Sequence, residues 1–280
     1  MKTAKHLFFC AIALSSIFLL NSCSKDEDVQ NPPDIIPVTL VKHWEIPLSA
    51  KFEVPAPAGR TETGTAVLDL MSDNSLRYSV TVADVAATDS LTMSHLHAGD
   101  VVTAGPVILD LEPVFVNGVA TDTISGLRQS LADSIQNGAV YLNVHSRELP
   151  GGIVRGQLDK TIDFAADIAL DGGSVVPPTT TTADGTTVLR LTSDKTLYSN
   201  VSIENLDAGD ALSTAALYLG AAGATGAKFQ DLATALADFG ITKTSILSDE
   251  LITQLKNDAM YVNVFSTNQA TNGLVRGQVR

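Results

Sequence analysis

The stretch from Ala139 to Leu158, AVYLNVHSRELPGGIVRGQL, returns near the C-terminus as Ala259 to Val279, AMYVNVFSTNQATNGLVRGQV. Each copy holds two short strand-like runs, Tyr-x-Asn-Val and Val-Arg-Gly-Gln, joined by a turn of Pro, Gly, Asn and Thr residues. The likeness extends upstream. Leu68–Val82 aligns with Leu189–Ile203 at an offset of 121 residues, and Gly105, Asp110 and Leu111 fall on Gly226, Asp231 and Leu232 at the same offset. A tandem duplication is the strongest constraint on this chain, because both halves must share one architecture. Each unit of about 120 residues is large enough to bury its own core, and 280 residues leave room for two such units.

The pattern within a unit is that of a β domain. Trp44, Ile46 and Leu48 alternate with His43, Glu45 and Pro47, which predicts a strand with one apolar face. Strands are expected at Thr65–Met71 and Leu76–Val82 around the turn Ser72-Asp73-Asn74-Ser75, then at Met93–Gly99 and Pro106–Leu111. Asn117-Gly118 predicts a tight type I′ hairpin. Leu127, Leu131 and Ile135 recur at helical spacing, so Ser125–Gln136 reads as a short amphipathic helix with Ser125 as cap and Asn137-Gly138 as stop. In the second unit Leu247, Leu251 and Leu255 rebuild that helix after the cap Ser248 and the acids Asp249 and Glu250. The expected fold is all-β: two tandem antiparallel sandwich or barrel domains, each with one short helix before its closing hairpin. Domain 1 spans 39–158 and domain 2 spans 161–280. The short Asp159–Ile162 junction predicts that the two touch.

The N-terminus reads as an address. Lys2 and Lys5 precede the apolar run Leu7–Leu20, too short to span a bilayer comfortably and shaped like a signal peptide. It ends in Leu20-Asn21-Ser22-Cys23, which resembles the lipobox of bacterial lipoproteins. That resemblance implies cleavage after residue 22, a lipid on Cys23, and residues 23–38 as an acidic tether. The run Lys25-Asp26-Glu27-Asp28 is similar to the acidic export signal of some Bacteroidetes lipoproteins, implying an outer-membrane protein exposed at the cell surface. Cys10 and Cys23 are the only cysteines, so the folded part has no thiol and no disulfide. A formal net charge of −13 argues against nucleic acid and anionic lipid surfaces as partners.

His95-Leu96-His97-Ala98-Gly99, Gly105-Pro106-Val107, Gly138–His145 and Pro150–Leu158 together resemble the CHRD domain, the module named after chordin, in order and spacing. The second unit keeps Gly226, Tyr261, Asn263, Val264 and Val275-Arg276-Gly277-Gln278. It has Ala216, Tyr218 and Phe265 where the first has histidines, so it resembles a degenerate copy. The resemblance implies an extracellular β-rich module and little about activity.

His95 and His97 share one face of a strand, as do Tyr141, Asn143 and His145. Three imidazoles gathered on one sheet surface have the donor chemistry for Cu²⁺ or Zn²⁺, with His43 as a candidate fourth. The alternative is a set of polar residues on a solvated face, with Asn143 and His145 hydrogen-bonding nearby loops. His-x-His followed by Gly-Pro is also similar to copper–zinc superoxide dismutase, but His43, His95, His97 and His145 are too few for a two-metal site of that family, and its disulfide cannot form. Arg155 and Gln157, with their counterparts Arg276 and Gln278, are either ligand-binding groups for carboxylates or sugars or structural groups that tie strand ends, Arg pairing with an acid such as Glu148 or with strand-end carbonyls. The glycine between them is expected to admit a neighbouring backbone. Their retention in the copy without histidines favours the structural role. Asp100, Asp110 and Glu112 are acids that suit Ca²⁺, without EF-hand spacing. No nucleophile elbow, phosphate loop or His-Glu-x-x-His motif is present, so nothing points to an enzyme. The expected function is a non-enzymatic extracellular binding or structural module held to the membrane by its lipid. Binding of a single Cu or Zn ion by the domain 1 histidines is the alternative, and polysaccharide recognition by open sheet faces a further one. An extracellular protein or polysaccharide is the expected class of partner, with no residue pattern identifying one.

Overall fold

The computed structural model describes residues 37–280. The signal peptide, the lipidation candidate Cys23 and nearly all of the acidic tether lie outside the described residues. Val38–Arg280 forms one compact unit holding both repeats.

The first repeat contains eight strands: β1 Leu40–Ser49, β2 Thr63–Met71, β3 Leu76–Ala83, β4 Leu91–Ala98, β5 Val107–Asp110, β6 Val119–Ile124, β7 Val140–Ser146 and β8 Val154–Gln157. They form one antiparallel sheet in the order β5-β4-β7-β8-β1-β2-β3-β6. The second repeat supplies β9 Ile162–Asp171, β10 Asp184–Thr192, β11 Thr196–Glu204, β12 Leu212–Leu219, β13 Lys228–Ala233, β14 Lys243–Ile246, β15 Met260–Ser266 and β16 Val275–Gln278, in the same order of pairing. Duplication in sequence is thus duplication in topology. The fold is all-β with two short helices, α1 Gln129–Asn137 and α2 Asp249–Asn257, each just before a closing hairpin.

Alternation drives each sheet to curl around its apolar face. Trp44, Ile46 and Leu48 of β1, Ala66, Leu68 and Leu70 of β2, and Leu142 and Val144 of β7 point into one core. Removing each such side chain from water contributes about 1.5–3 kcal/mol. Tyr78 on β3 crosses this core and donates its hydroxyl to Leu111 O, just past β5, at 2.9 Å. In the second repeat Gln230 on β13 donates to Ser245 Oγ on β14 at 3.2 Å, drawing the two sheet edges together into a nearly closed barrel.

The turns follow the sequence closely. Asn117 and Gly118 have φ of 52° and 80°, and Val116 and Val119 exchange backbone hydrogen bonds across them, as a type I′ hairpin requires. Gly156 faces Pro47 so closely that a Cβ there would lie 2.4 Å from its carbonyl oxygen, and a Cβ on Gly277 would lie 2.2 Å from Ala169 O. Ser248 caps α2, accepting from Leu251 N at 3.3 Å.

The first helix departs from expectation. It begins at Gln129 behind Arg128, which makes no side-chain cap, so Ser125 is not the cap. Residues up to Ile124 are spent on β6, where Ile124 pairs with Leu76, and Leu127 N is then anchored to Asn74 O at 3.0 Å. The sheet and this tie hold the chain extended where local preference alone would start the helix.

The repeats touch directly. Val101, Val102, Ile162 and Val188 form an apolar cluster between them, with Phe52, Val54, Ala165 and Tyr198 packed against it.

Candidate metal centre

The three histidines come from two neighbouring strands. In the β4–β7 pairing His95 stands opposite Asn143 and His97 opposite Tyr141. Leu96, Leu142 and Val144 fill the core, so the side chains between them share the other face. That face is not solvated. His97 is 9% exposed, His145 6% and Asn143 3%, because the 99–106 and 149–152 loops fold over it. The face is therefore covered rather than solvated, while His145 does hydrogen-bond a nearby loop as the alternative expected.

Hydrogen bonds define the tautomers. His97 Nδ1 donates to Gly105 O at 2.9 Å and His145 Nδ1 donates to Pro150 O at 2.8 Å. A carbonyl only accepts, so both rings carry the proton on Nδ1 and present a lone pair on Nε2. His145 Nε2 lies 2.9 Å from His95 Nδ1, which is the donor of that pair. His97 Nε2 is buried and has no hydrogen-bond partner. One ligand atom from each ring lies within 4.8 Å of the others, and these three form the only such group among the described residues. Four-coordinate Zn²⁺ with ligands at about 2.0 Å spaces them about 3.3 Å apart, so closure onto an ion takes ring movements of about an ångström.

Electrostatics keep two of the rings neutral. Burial pushes His97 below the ordinary histidine value, opposed in part by the Gly105 carbonyl, and burial does the same to His145 against the Pro150 carbonyl. Neutral imidazole with its outer N–H held by a carbonyl is the ligand form of histidine, oriented by its second contact.

The remaining site candidates separate from this centre. His43 lies on β1 opposite Asp69 and bonds its carboxylate at 2.6 Å, apart from the trio. Asp110 sits across from His95, with Oδ2 3.8 Å from His95 Nε2, and its other oxygen accepts from Glu112 N. Asp100 is occupied by Val102 N, Thr103 Oγ1 and Thr242 Oγ1. Arg155 donates to Thr103 O and Asp100 O, and Gln157 donates to Gly99 O. Arg276 and Gln278 repeat this on Ala221 O and Gly220 O. The Arg-Gly-Gln motif thus ties down the loop after the fourth strand of each repeat. Glu148, the acid considered as a partner for Arg155, pairs with Arg60 instead.

Sequence reasoning missed the structural importance of Tyr141 and Glu53. Tyr141 stacks on His97 with centroids 4.8 Å apart and accepts from Gly105 N through its hydroxyl. Its place beside His97 on a neighbouring strand was the available signal. Glu53 is 5% exposed with an unpartnered Oε1, and nothing local to its sequence announces burial.

The family model of the CHRD domain matches residues 44–158 and again 166–279. This chain belongs to the CHRD family. No curated protein and no solved structure matches it. The two CHRD domains differ at the centre. On the second CHRD sheet Ala216 stands opposite Asn263 and Tyr218 opposite Tyr261, so the positions of His95 and His97 survive in register while the imidazoles do not. Tyr218 stacks on Tyr261 at 5.3 Å, as His97 does on Tyr141, and Phe265 takes the place of His145.

Proposed function

We propose that this CHRD protein is an extracellular binding module whose first domain holds one Cu²⁺ or Zn²⁺ ion through His95, His97 and His145. The observation that carries the reading is the convergence of three imidazoles, one nitrogen of each within 4.8 Å of the others, in a pocket where Gly105 and Pro150 carbonyls set the tautomers of two of them. Three neutral nitrogen donors with no thiolate suit borderline ions such as Cu²⁺ and Zn²⁺ over Ca²⁺ or Mg²⁺. Three protein ligands leave a coordination position for water or a partner's side chain.

In this reading the acyl chains on Cys23 tether the module to the outer membrane, on the outside of a bacterial cell. The lipobox-like run ending at Cys23 and the acidic stretch after it support that placement. Fatty-acid labelling that disappears in Cys23→Ser, together with protease accessibility on whole cells, tests it.

The metal reading is tested on soluble Asn31–Arg280 by metal content and by equilibrium titration with Cu²⁺ and Zn²⁺, alongside His97→Ala. About one ion per chain, lost in the variant, is expected. Absence of binding tighter than about 10 µM sinks the reading.

A further inference from the structure

Of the two loops whose carbonyls orient the candidate ligand histidines, the second repeat packs directly on the one holding Gly105 and reaches the one holding Pro150 through Glu53. Gly105 ends the 99–105 loop. Within that loop Val101 is 0% and Val102 2% exposed, sealed by Ile162 and Val188 of the second repeat. Thr242, just before β14, donates its hydroxyl to Asp100 Oδ2 at 2.7 Å. Asp100 Oδ1 in turn accepts from Val102 N and Thr103 Oγ1, both at 3.0 Å. A hydrogen bond from the second repeat thus enters the small network that shapes the loop holding His97.

A second path leads to His145. Arg190 on β10 is fully buried and donates to Glu53 O at 2.7 Å. Its other terminal nitrogen binds Asp167 Oδ1 at 2.6 Å, and Asp167 Oδ2 accepts from Ala56 N at 2.7 Å. The Glu53 carboxylate packs against Gly152, where a Cβ would lie 2.4 Å from Oε1. Gly152 is two residues from Pro150, the acceptor for His145 Nδ1.

The equivalent loop of the second repeat has no such cover. Ala221 through Gly226 are all exposed, and that repeat carries Ala216, Tyr218 and Phe265 in place of the histidines. Loop cover and imidazoles occur together.

We infer that the second CHRD domain is a positioning partner for the metal centre of the first, clamping through Thr242 and Arg190 the two loops that orient His97 and His145. It raises metal affinity without touching the ion, since ordering those loops no longer has to be met when the ion binds. This inference rests on the metal reading above. It gives the degenerate copy a role that needs no ligand of its own.

The test is Thr242→Val, which keeps side-chain volume and removes only the donor, in soluble Asn31–Arg280. Coupling of this kind carries about 0.5–2 kcal/mol, so Cu²⁺ or Zn²⁺ affinity is expected to fall roughly 2- to 30-fold. Asp100→Asn is expected to weaken binding similarly. The double variant should lose no more than either single one, because both remove the same link. Thr253→Val on α2, away from the contact, should leave affinity unchanged. The readout beyond stability is the His97 Nδ1–H proton resonance of the metal-free chain, which should move in Thr242→Val. Unchanged affinity in Thr242→Val, in a chain that does bind metal, overturns the inference. If the unsubstituted chain takes up neither ion, the metal reading falls instead. The His97 resonance then decides the clamp by itself, a shift upholding it and no shift overturning it.

Discussion

The Arg155 guanidinium carbon lies 3.4 Å from the centroid of the Tyr141 ring, and His97 stacks on that same ring with an interplanar angle of 7°. Because β4 and β8 flank β7, the tyrosine is held between a buried cation and a buried histidine. Arg276, Tyr261 and Tyr218 reproduce the stack in the second repeat at 3.5 Å and 5.3 Å. The column of Arg, Tyr and a third ring is therefore part of the CHRD scaffold. The third ring differs between the repeats, His97 in the first and Tyr218 in the second.

Arg155→Lys should be destabilising despite keeping the charge. Lysine cannot span Thr103 O and Asp100 O with a planar fork or lie flat on Tyr141. Loss of about 1.5–3 kcal/mol, the usual scale for hydrogen bonds to a charged group, is expected in urea unfolding.

Gly156→Ala should destabilise by about 1–3 kcal/mol through overpacking, since its Cβ would press on Pro47 O, Ile46 and Leu48. Gly151→Ala, where a Cβ meets nothing within 4 Å, should be nearly silent. Thermal midpoints of the two variants check this contrast.

Burial pushes the Glu53 carboxyl up to about 8, although Arg155 and Arg190 pull the other way. The folded value thus lies above the unfolded one of 4.5. Stability linked to this group is fully present below the unfolded value and is lost as pH rises through the folded one. Above the histidine range, the urea midpoint of the metal-free chain should fall between about pH 7 and pH 9. Glu53→Gln should flatten that slope.

His97 and His145 act in the opposite sense. Their folded values are lowered from 6.5 by burial, so their contribution is present above 6.5 and lost as pH falls through the folded values. The thermal midpoint of the metal-free chain should drop on acidification from about pH 7 to pH 5. Replacing both histidines by glutamine should reduce the drop.

The second repeat offers a gain-of-function test. Its strands keep the register of the first, with Ala216 opposite Asn263 and Tyr218 opposite Tyr261. Ala216→His, Tyr218→His and Phe265→His together should raise metal content from about one ion per chain toward two. Affinity at the new centre should be weaker, because Ala221–Gly226 has no cover.

Much of this was legible in the residues. Period-2 alternation in β1 and β7, the Asn117-Gly118 hairpin and the Ser248 cap are local, and local sterics decide them. Placing His95, His97 and His145 on common faces needed only the strand period. The start of α1 was not legible, because pairing of β6 with β3 competes with the helix for the same residues.

The sequence by itself determined that the chain is a duplicated antiparallel β protein, which side chains share a face, and that one copy has imidazoles where the other has none. Alternation and turn chemistry act over a few residues, and repetition makes them unambiguous. Only the tertiary structure decided that the histidine face is covered, that Gly105 and Pro150 set the tautomers, that Glu53 is buried, and that Thr242 reaches Asp100 across 142 positions of chain. Those facts arise from contacts between segments far apart in sequence. Burial and hydrogen-bond partners across such distances are set by packing of the whole fold, which no local pattern encodes.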